Sequence, residues 1–408
     1  MKVYGLLGGR LGHSFSPQIH SVFGDYEYRL FPRAKHEIDE FFSKREFAGI
    51  NVTIPYKQTV IPYCDVISPI AQRLHSINTI TVQPDGTLHG DNTDYRGFLY
   101  MLGRAGISVK GKNTLVLGSG GSSHTVCAAL EDEGAKKITV FKRSDIENYA
   151  NLIIDKEIQI IINCTPVGMY PDNGKSPVNL SDFPKCEAVA DLIYNPDKTE
   201  LLLQAKKLGL NYVNGLTMLV AQAKYSSELF TGTQLDEGMI EKALKSVRNE
   251  MRNIVLIGMP GSGKTSVGKR LSELMKRRFF DSDEIITRVY EKNPAEIIEK
   301  KGESFFRLIE ATVISEAGKA TSAVISTGGG AVINEQNIDY LRQNGIIIFL
   351  ERDLGLLDVT CRPLSSGKNA LQALYNARIP LYRKYADYIV DGNGSIEETA
   401  KKITEILK

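Results

Sequence analysis

The chain has 408 residues, 42% of them hydrophobic and 24% charged, with a formal net charge of +2. That balance excludes a disordered chain and a polybasic nucleic-acid binder, and the length accommodates two to three domains. Five cysteines (Cys64, Cys127, Cys164, Cys186, Cys361) are odd in number and form no C-x-x-C, which fits thiols in a reducing compartment better than disulfides or a zinc site. The start, MKVYGLLGGR, lacks a signal-peptide pattern, and the longest apolar runs, such as IQIIINC at 158–164, are strand-sized. The expectation is a cytoplasmic protein with neither a membrane nor a nucleic-acid partner.

Between Lys2 and Met101, runs rich in β-branched or aromatic residues (VYGLLG, YEYRLF, GINVTI) alternate with helical spacing in PQIHSVF and EIDEFFSK. TITVQPDGTLHG reads as a hairpin turning at Pro-Asp-Gly. From Asn113, NTLVLG, SGGSS, HTVCAALEDEG and KKITVFKR follow as strand, glycine loop, helix and strand, a βαβ unit, and IQIIIN and AVADLIY add further strands. Helices are expected at 217–231 and 236–249, and the charged stretch RNEMRN (248–253) is the only plausible linker. A new alternation then begins, with strands at IVLIG, RFFDSD, SAVIST, IIIFLE and DYIVDG separated by helices, which predicts a three-layer α/β domain.

Two glycine loops follow strands. In LVLGSGGSSH (115–124), Gly118, Gly120 and Gly121 permit close backbone approach to a pyrophosphate at a helix N-terminus. An NAD site generally has Asp or Glu at the end of the next strand, but this chain has Lys142, Arg143 and Ser144. Two cations and a hydroxyl suit a 2′-phosphate, so the loop predicts NADP. The second loop, IVLIGMPGSGKTSVGK (254–269), spaces Gly258 to Thr265 as G-x-x-x-x-G-K-T. Lys264 is expected to reach the β/γ-phosphates of ATP, and Thr265 to ligate Mg²⁺.

The clusters GHSFSPQIH (12–20), NVTIPYK (51–57), SINTI (76–80), GDNTD (90–94), NCTPVGM (163–169), DLIYNP (191–196) and GLTMLVAQA (215–223) are similar to those of the shikimate dehydrogenase family, over residues 1–247. The resemblance implies an α/β substrate and catalytic domain (1–101 and 231–247) and a Rossmann-like NADP domain (102–230). It implies that Ser14 and Ser16 hold the substrate carboxylate, and that Thr53, Asn78, Tyr194 and Gln222 line the hydroxyl side of the ring. Lys57 and Asp94 would be the catalytic pair, in contact with substrate. A lysine ammonium there can stabilise alkoxide charge and supply the proton, while the carboxylate orients it. Gly118, Ser119, Gly120, Gly121 and Ser122 would cradle the NADP pyrophosphate, with Leu192 and Gly215 near the nicotinamide. The family usually carries Asn-Arg-Thr or Asn-Arg-Ser where this chain has Lys142-Arg143-Ser144. The segment between Ser144 and Ile158 is also shorter than usual, which suggests a trimmed helix.

Beyond a linker at 248–252, FFDSDEII (279–286), GESFFRLIE (302–310), STGGGAV (326–332), TCRPLSS (360–366) and ARIPLY (377–382) join the phosphate loop in a pattern that resembles shikimate kinase. The resemblance implies a P-loop, NMP-kinase-like domain at 253–408. Gly261, Ser262, Gly263, Lys264, Thr265, Ser266 and the lid residue Arg362 would bind ATP. Asp281 would hold Mg²⁺ with Thr265, and Asp283 would accept the attacking hydroxyl's hydrogen bond. Gly328, Gly329 and Gly330 would pack against substrate, and Arg307 and Arg378 would clamp its carboxylate. Together these imply a bifunctional enzyme, monomer or homodimer, that reduces 3-dehydroshikimate with NADPH and then phosphorylates shikimate at the 3-hydroxyl. Two alternatives stay open: a quinate/shikimate dehydrogenase fused to a related kinase, and an inactive metabolite-sensing regulator.

Overall fold

The computed structural model describes residues 2–12, 14–147, 155–357 and 368–407. They group into two compact units, one of residues 1–169, 175–194 and 199–247, the other of 170–174, 195–198 and 248–408. The first begins with β1 (Val3–Gly8), α1 (Ser16–Phe23), β2 (Glu27–Pro32), α2 (Ile38–Lys44), β3 (Gly49–Val52), β4 (Val66–Ile67) and α3 (Pro69–Leu74). β5 (Thr79–Val82), β6 (Leu88–Asp91) and α4 (Thr93–Arg104) follow, and the strands form a mixed sheet in the order β2-β1-β3-β5-β6-β4. β5 and β6 are the expected antiparallel hairpin, whose turn is held by Asp85 accepting from the Thr87 backbone and hydroxyl. Phe41, Phe42 and Phe47 of the α2 region close the core over Ile50, Val52 and Ile80.

A second sheet of the same unit is wholly parallel. It comprises β7 (Asn113–Leu117), α5 (Gly121–Asp132), β8 (Lys137–Phe141), α6 (Arg143–Glu147), β9 (Ile160–Asn163), β10 (Ala188–Asp191), α7 (Glu200–Lys207) and β11 (Asn211–Asn214), with strand order β11-β10-β9-β7-β8. Alternate residues of β7 enter opposite layers, Val116 one core and Leu115 and Leu117 the other, as burial of both faces requires. The chain reverses direction across the sheet between β7 and β9, and the glycine loop at 118–122 leaves β7 at that switch point. Residues 148–154, in the segment expected to be trimmed, lie outside the described residues.

Two sequence expectations change. α8 (Leu216–Thr231), most of it expected within the NADP domain, packs on α4 and α1 and reaches β5. Its Ser226 bonds to Asn51 and Thr79, and its Phe230 carbonyl accepts from Tyr4 Oη at 3.0 Å, so its buried face completes the first sheet's core. α9 (Gly238–Met251) runs through most of the stretch read as a linker, leaving only Arg252 before the next strand. Arg, Glu and Met in RNEMRN are good helix formers, and the charge that suggested a loop lies on a helix instead.

The second unit carries β12 (Asn253–Ile257), α10 (Lys264–Met275), β13 (Arg278–Asp281), α11 (Ser282–Tyr290), α12 (Pro294–Lys301), α13 (Glu303–Gly318), β14 (Ala323–Ser326), α14 (Glu335–Arg342), β15 (Gly345–Glu351), α15 (Lys368–Tyr385), β16 (Tyr388–Asp391) and α16 (Ile396–Ile406). Its parallel sheet has the order β13-β14-β12-β15-β16, with β12 in the middle. Val255 and Ile257 face one layer, Ile254 and Leu256 the other, the expected three-layer arrangement. Leu256 is fully buried. Leu256→Ala should cost about 2–5 kcal/mol of unfolding free energy, read as a lower denaturant midpoint.

Candidate functional sites

Register aligns the loops of the parallel sheet in the first unit. Phe141, Leu117, Asn163, Asp191 and Asn214 form one cross-strand row, so the segments beginning at Lys142, Gly118, Cys164, Leu192 and Gly215 leave the same edge. Gly118 N–H donates to Phe141 O at 2.7 Å, fixing the glycine loop beside Lys142. A Cβ at Gly215 would overlap the Leu192 carbonyl, which accounts for glycine there. Lys142, Arg143 and Ser144 are exposed beyond β8. Arg143 pairs with Glu147 one helical turn on, at 2.8 Å, a surface contact that a phosphate can displace.

Asp191 ties this edge together. It is fully buried and accepts from Asn163 Nδ2 (2.9 Å), Ile193 N–H (3.0 Å) and the Thr199 hydroxyl (2.6 Å), joining β9, β10 and the N-cap of α7. Burial pushes its carboxyl up to about 7 despite those three donors.

At the carboxyl end of β3, Lys57 Nζ donates to Asp94 Oδ2 at 2.5 Å, the side chains 28% and 16% exposed. Asn92 caps α4 by accepting from the Asp94 N–H, which sets the carboxylate in the first turn. Asn78 Nδ2 donates to Thr93 Oγ1 (3.0 Å) and reaches Gln222 Oε1 (3.4 Å), while its Oδ1 accepts from Thr93 N–H. Ser14 and Ser16 bond to each other at 3.1 Å. Thr53 is placed by its backbone, donating to Leu7 O, and burial raises the Tyr194 phenol. Among the described residues no hydrogen bond joins Ser14, Ser16, Thr53 or Tyr194 to the Lys57–Asp94 pair.

Beneath these lies a polar layer that motif reading missed. Tyr28 Oη donates to Asn51 Oδ1 (2.8 Å), Asn51 Nδ2 to Ser226 Oγ (2.8 Å), and Ser226 Oγ meets Thr93 Oγ1 (3.0 Å). The signal was present as polar residues in apolar settings, Asn51 inside GINVTI and Ser226 on the buried face of α8. His20, within GHSFSPQIH, is part of the same wall. It is stacked on Tyr28 at 4.0 Å and bonded to Tyr26 Oη at 2.7 Å, and burial lowers its imidazole to about 3, so it is neutral.

In the second unit, one row runs Asp281, Ser326, Leu256, Ile348. The loop from Gly258, the start of α11, the glycines after β14 and the end of β15 therefore share an edge. Lys264 is buried, its Nζ donating to Gly258 O (3.0 Å) and Met259 O (2.8 Å). Thr265 Oγ1 donates to Asp281 Oδ2 at 2.7 Å, and Asp281 Oδ1 also accepts from the Asp283 and Glu284 N–H groups, capping α11. Two hard oxygen groups so close fit a Mg²⁺ ion that keeps several of its waters.

Asp283 faces Gly328, as does Glu310, a fully buried carboxylate that sequence reading passed over. Glu310 Oε2 pairs with Arg307 Nη1 at 2.6 Å, whereas its Oε1 is buried with no hydrogen-bond partner among the described residues. Burial raises the Glu310 carboxyl, against the pull of Arg307. Arg307 also pairs with Glu303, and a Cβ at Gly330 would overlap its guanidinium. Arg378 is buried on α15 one turn before Tyr382, whose hydroxyl donates to Gly329 O at 2.5 Å. Arg307, Arg378, Asp283 and the glycines thus converge. Arg362 lies outside the described residues.

Residues 6–80 match the family model for the shikimate dehydrogenase substrate binding domain. A shikimate dehydrogenase (NADP(+)) of Clostridium perfringens strain 13 is 37% identical over 269 residues, which cover 61% of this chain and 99% of that protein. The chain belongs to the shikimate dehydrogenase family. Its residues 260–408 match the shikimate kinase model, so dehydrogenase and kinase domains of one pathway share the polypeptide, and it is a bifunctional shikimate-pathway enzyme. Among solved structures, a chorismate mutase/shikimate 5-dehydrogenase fusion protein from Clostridium acetobutylicum is 35% identical with a TM-score of 0.56, covering 60% of this chain and 97% of that one. The Thermus thermophilus shikimate 5-dehydrogenase in complex with NADP(H) and shikimate is 32% identical with a TM-score of 0.54, covering 60% and 99%.

The raised Asp191 carboxyl has a pH consequence for this dehydrogenase. The folded state holds a proton that the unfolded chain releases above 3.8, so the contribution to stability falls as pH rises from about 4 to about 7. Asp191→Asn should therefore gain stability relative to the parent between pH 4.5 and 7.5, measured as denaturant midpoints at both.

Proposed function

We propose that the first unit reduces 3-dehydroshikimate to shikimate through Lys57 and Asp94, and that the second transfers phosphate to shikimate through Lys264 and Asp283. The observation that carries the first assignment is the half-buried Lys57–Asp94 contact beside Asn78 and Gln222. Gly118–Ser122 would hold the pyrophosphate of NADPH and Lys142–Ser144 its 2′-phosphate, and the cofactor would supply the hydride when bound. Lys57 meets the carbonyl oxygen, stabilises its developing charge and gives it a proton, and Asp94 keeps the ammonium aimed. Ser14 and Ser16 hold the carboxylate with neutral hydroxyls, while Thr53, Asn78, Tyr194 and Gln222 orient the ring, and Leu192 and Gly215 bound the nicotinamide pocket.

In the second unit, the loop with Gly261, Ser262, Gly263, Thr265 and Ser266, together with Arg362, holds ATP. Mg²⁺ at Thr265 and Asp281 neutralises phosphate charge when bound. Asp283 accepts from the attacking hydroxyl, and Glu310 Oε1, lacking a partner among the described residues, is available to accept from a neighbouring one. Arg307 and Arg378 receive the carboxylate and Gly328–Gly330 form the floor. In this reading the domain limits are 1–101 with 231–247, 102–230, and 253–408, adjusted by the packing of α8. The chain works in the cytoplasm as a monomer or homodimer. Among the described residues no helix is long and apolar enough to cross a membrane.

Lys57→Ala should lower NADPH oxidation with 3-dehydroshikimate by at least about 100-fold and leave ATP turnover on shikimate intact. Asp283→Ala or Lys264→Ala should do the reverse, and loss of both activities from one substitution would refute separate sites. Replacing Lys142 and Arg143 by Ala should raise KM for NADPH while leaving any rate with NADH unchanged. Such selectivity loss, measured by initial rates, tests the 2′-phosphate assignment.

A further inference from the structure

One cation at the nucleotide edge of the kinase sheet belongs to no motif. Arg352 follows β15, whose Phe349 pairs with Ile257 immediately ahead of the phosphate loop. The position that a Cβ of Gly263 would occupy is 3.4 Å from Arg352 Nη1, with Gly263 itself at φ +89°. Arg352 Nε is buried without a partner, and the guanidinium makes no hydrogen bond or ion pair among the described residues. Two carboxylates at this edge are engaged elsewhere: Glu351 accepts from Arg383 at 2.6 Å and Asp391 from Lys402 at 3.1 Å. A partly buried guanidinium with an unmet donor is unfavourable, and it is relieved when a ligand brings an acceptor.

We propose that Arg352 is a nucleotide-binding residue of the kinase, donating to a phosphate oxygen of ATP held in the loop 258–265. The proposal rests on reading that loop as the ATP site. Lys264 works from inside the loop, where its ammonium sits on two carbonyls, whereas Arg352 flanks the loop at Gly263. A planar fork suits phosphate oxygens, and the contact is made to nucleotide alone, not to shikimate.

The test uses the full chain with Arg352→Ala, Arg352→Gln and Arg352→Lys, and reads kinase kinetics together with inhibition by inorganic tripolyphosphate and by adenosine. The alanine variant should raise KM for ATP roughly tenfold, the loss of one charge-assisted hydrogen bond. KM for shikimate and the rate of NADPH oxidation should stay at parent values. Tripolyphosphate inhibition should weaken in parallel, adenosine inhibition should not, and lysine should recover part of the affinity. Glutamine, shorter, polar and uncharged, should behave as alanine does and serves if the alanine variant does not fold. An unchanged KM for ATP, or weakened adenosine inhibition with tripolyphosphate unaffected, would overturn the assignment. Lys264→Ala in parallel separates the two readings: retained ATP turnover there would refute the loop as the ATP site, whatever Arg352 does.

Discussion

A parallel sheet delivers the carboxyl end of every strand to one edge, and the pairing registers here turn that property into two chemical surfaces. In the dehydrogenase, five strands end in a row from Phe141 to Asn214, and the segments proposed to hold the cofactor begin one residue later. A slip of one residue in β10 would move Leu192 away from Gly215 and invert every side chain of the strand. Asp191 resists that slip by bonding sideways to Asn163 and forward to Thr199. The kinase sheet uses the same logic with different chemistry, since Asp281 ends its strand level with Ser326 and beside the loop that follows β12.

Two cations of the kinase unit proposed to meet anionic ligands are held in different ways. Lys264 donates to two neutral carbonyls, which keep a buried ammonium hydrogen-bonded. Arg307 shares its guanidinium between Glu303, which is half exposed, and Glu310, which is buried. Solvent screens the first pair, so a carboxylate can displace Glu303 more readily than Glu310. The Lys57–Asp94 contact is different in kind, because in the proposed mechanism both members stay together and the ammonium keeps protons free for the reacting oxygen.

The sequence made the strands, the glycine loops and the motif residues readable because each is written in contiguous residues. What it concealed is carried by contacts between distant positions. Ser226 meets Asn51 across 175 residues, and Glu310 is meaningful only once Gly328 is folded over it. The helix through 248–251 was hidden because charged composition signals a solvated surface equally well in a loop and on a helix. Arg352 gave no signal at all, since an arginine after a strand is ordinarily a surface charge.

The two proposed reactions have a fixed order for a chemical reason. Reduction of a 3-ketone creates the 3-hydroxyl, and phosphoryl transfer needs that hydroxyl as nucleophile. A kinase that admitted the ketone would bind it unproductively, and the proposed roles of Asp283 and Glu310 put the discrimination at that pair. A carboxylate there accepts a hydrogen bond from an alcohol, whereas a carbonyl oxygen would face it with no proton to give. Buried as Glu310 is, an unmatched oxygen opposite it is expensive. On that proposal the pair that receives the alcohol disfavours its precursor, so the second activity would compete little for the substrate of the first.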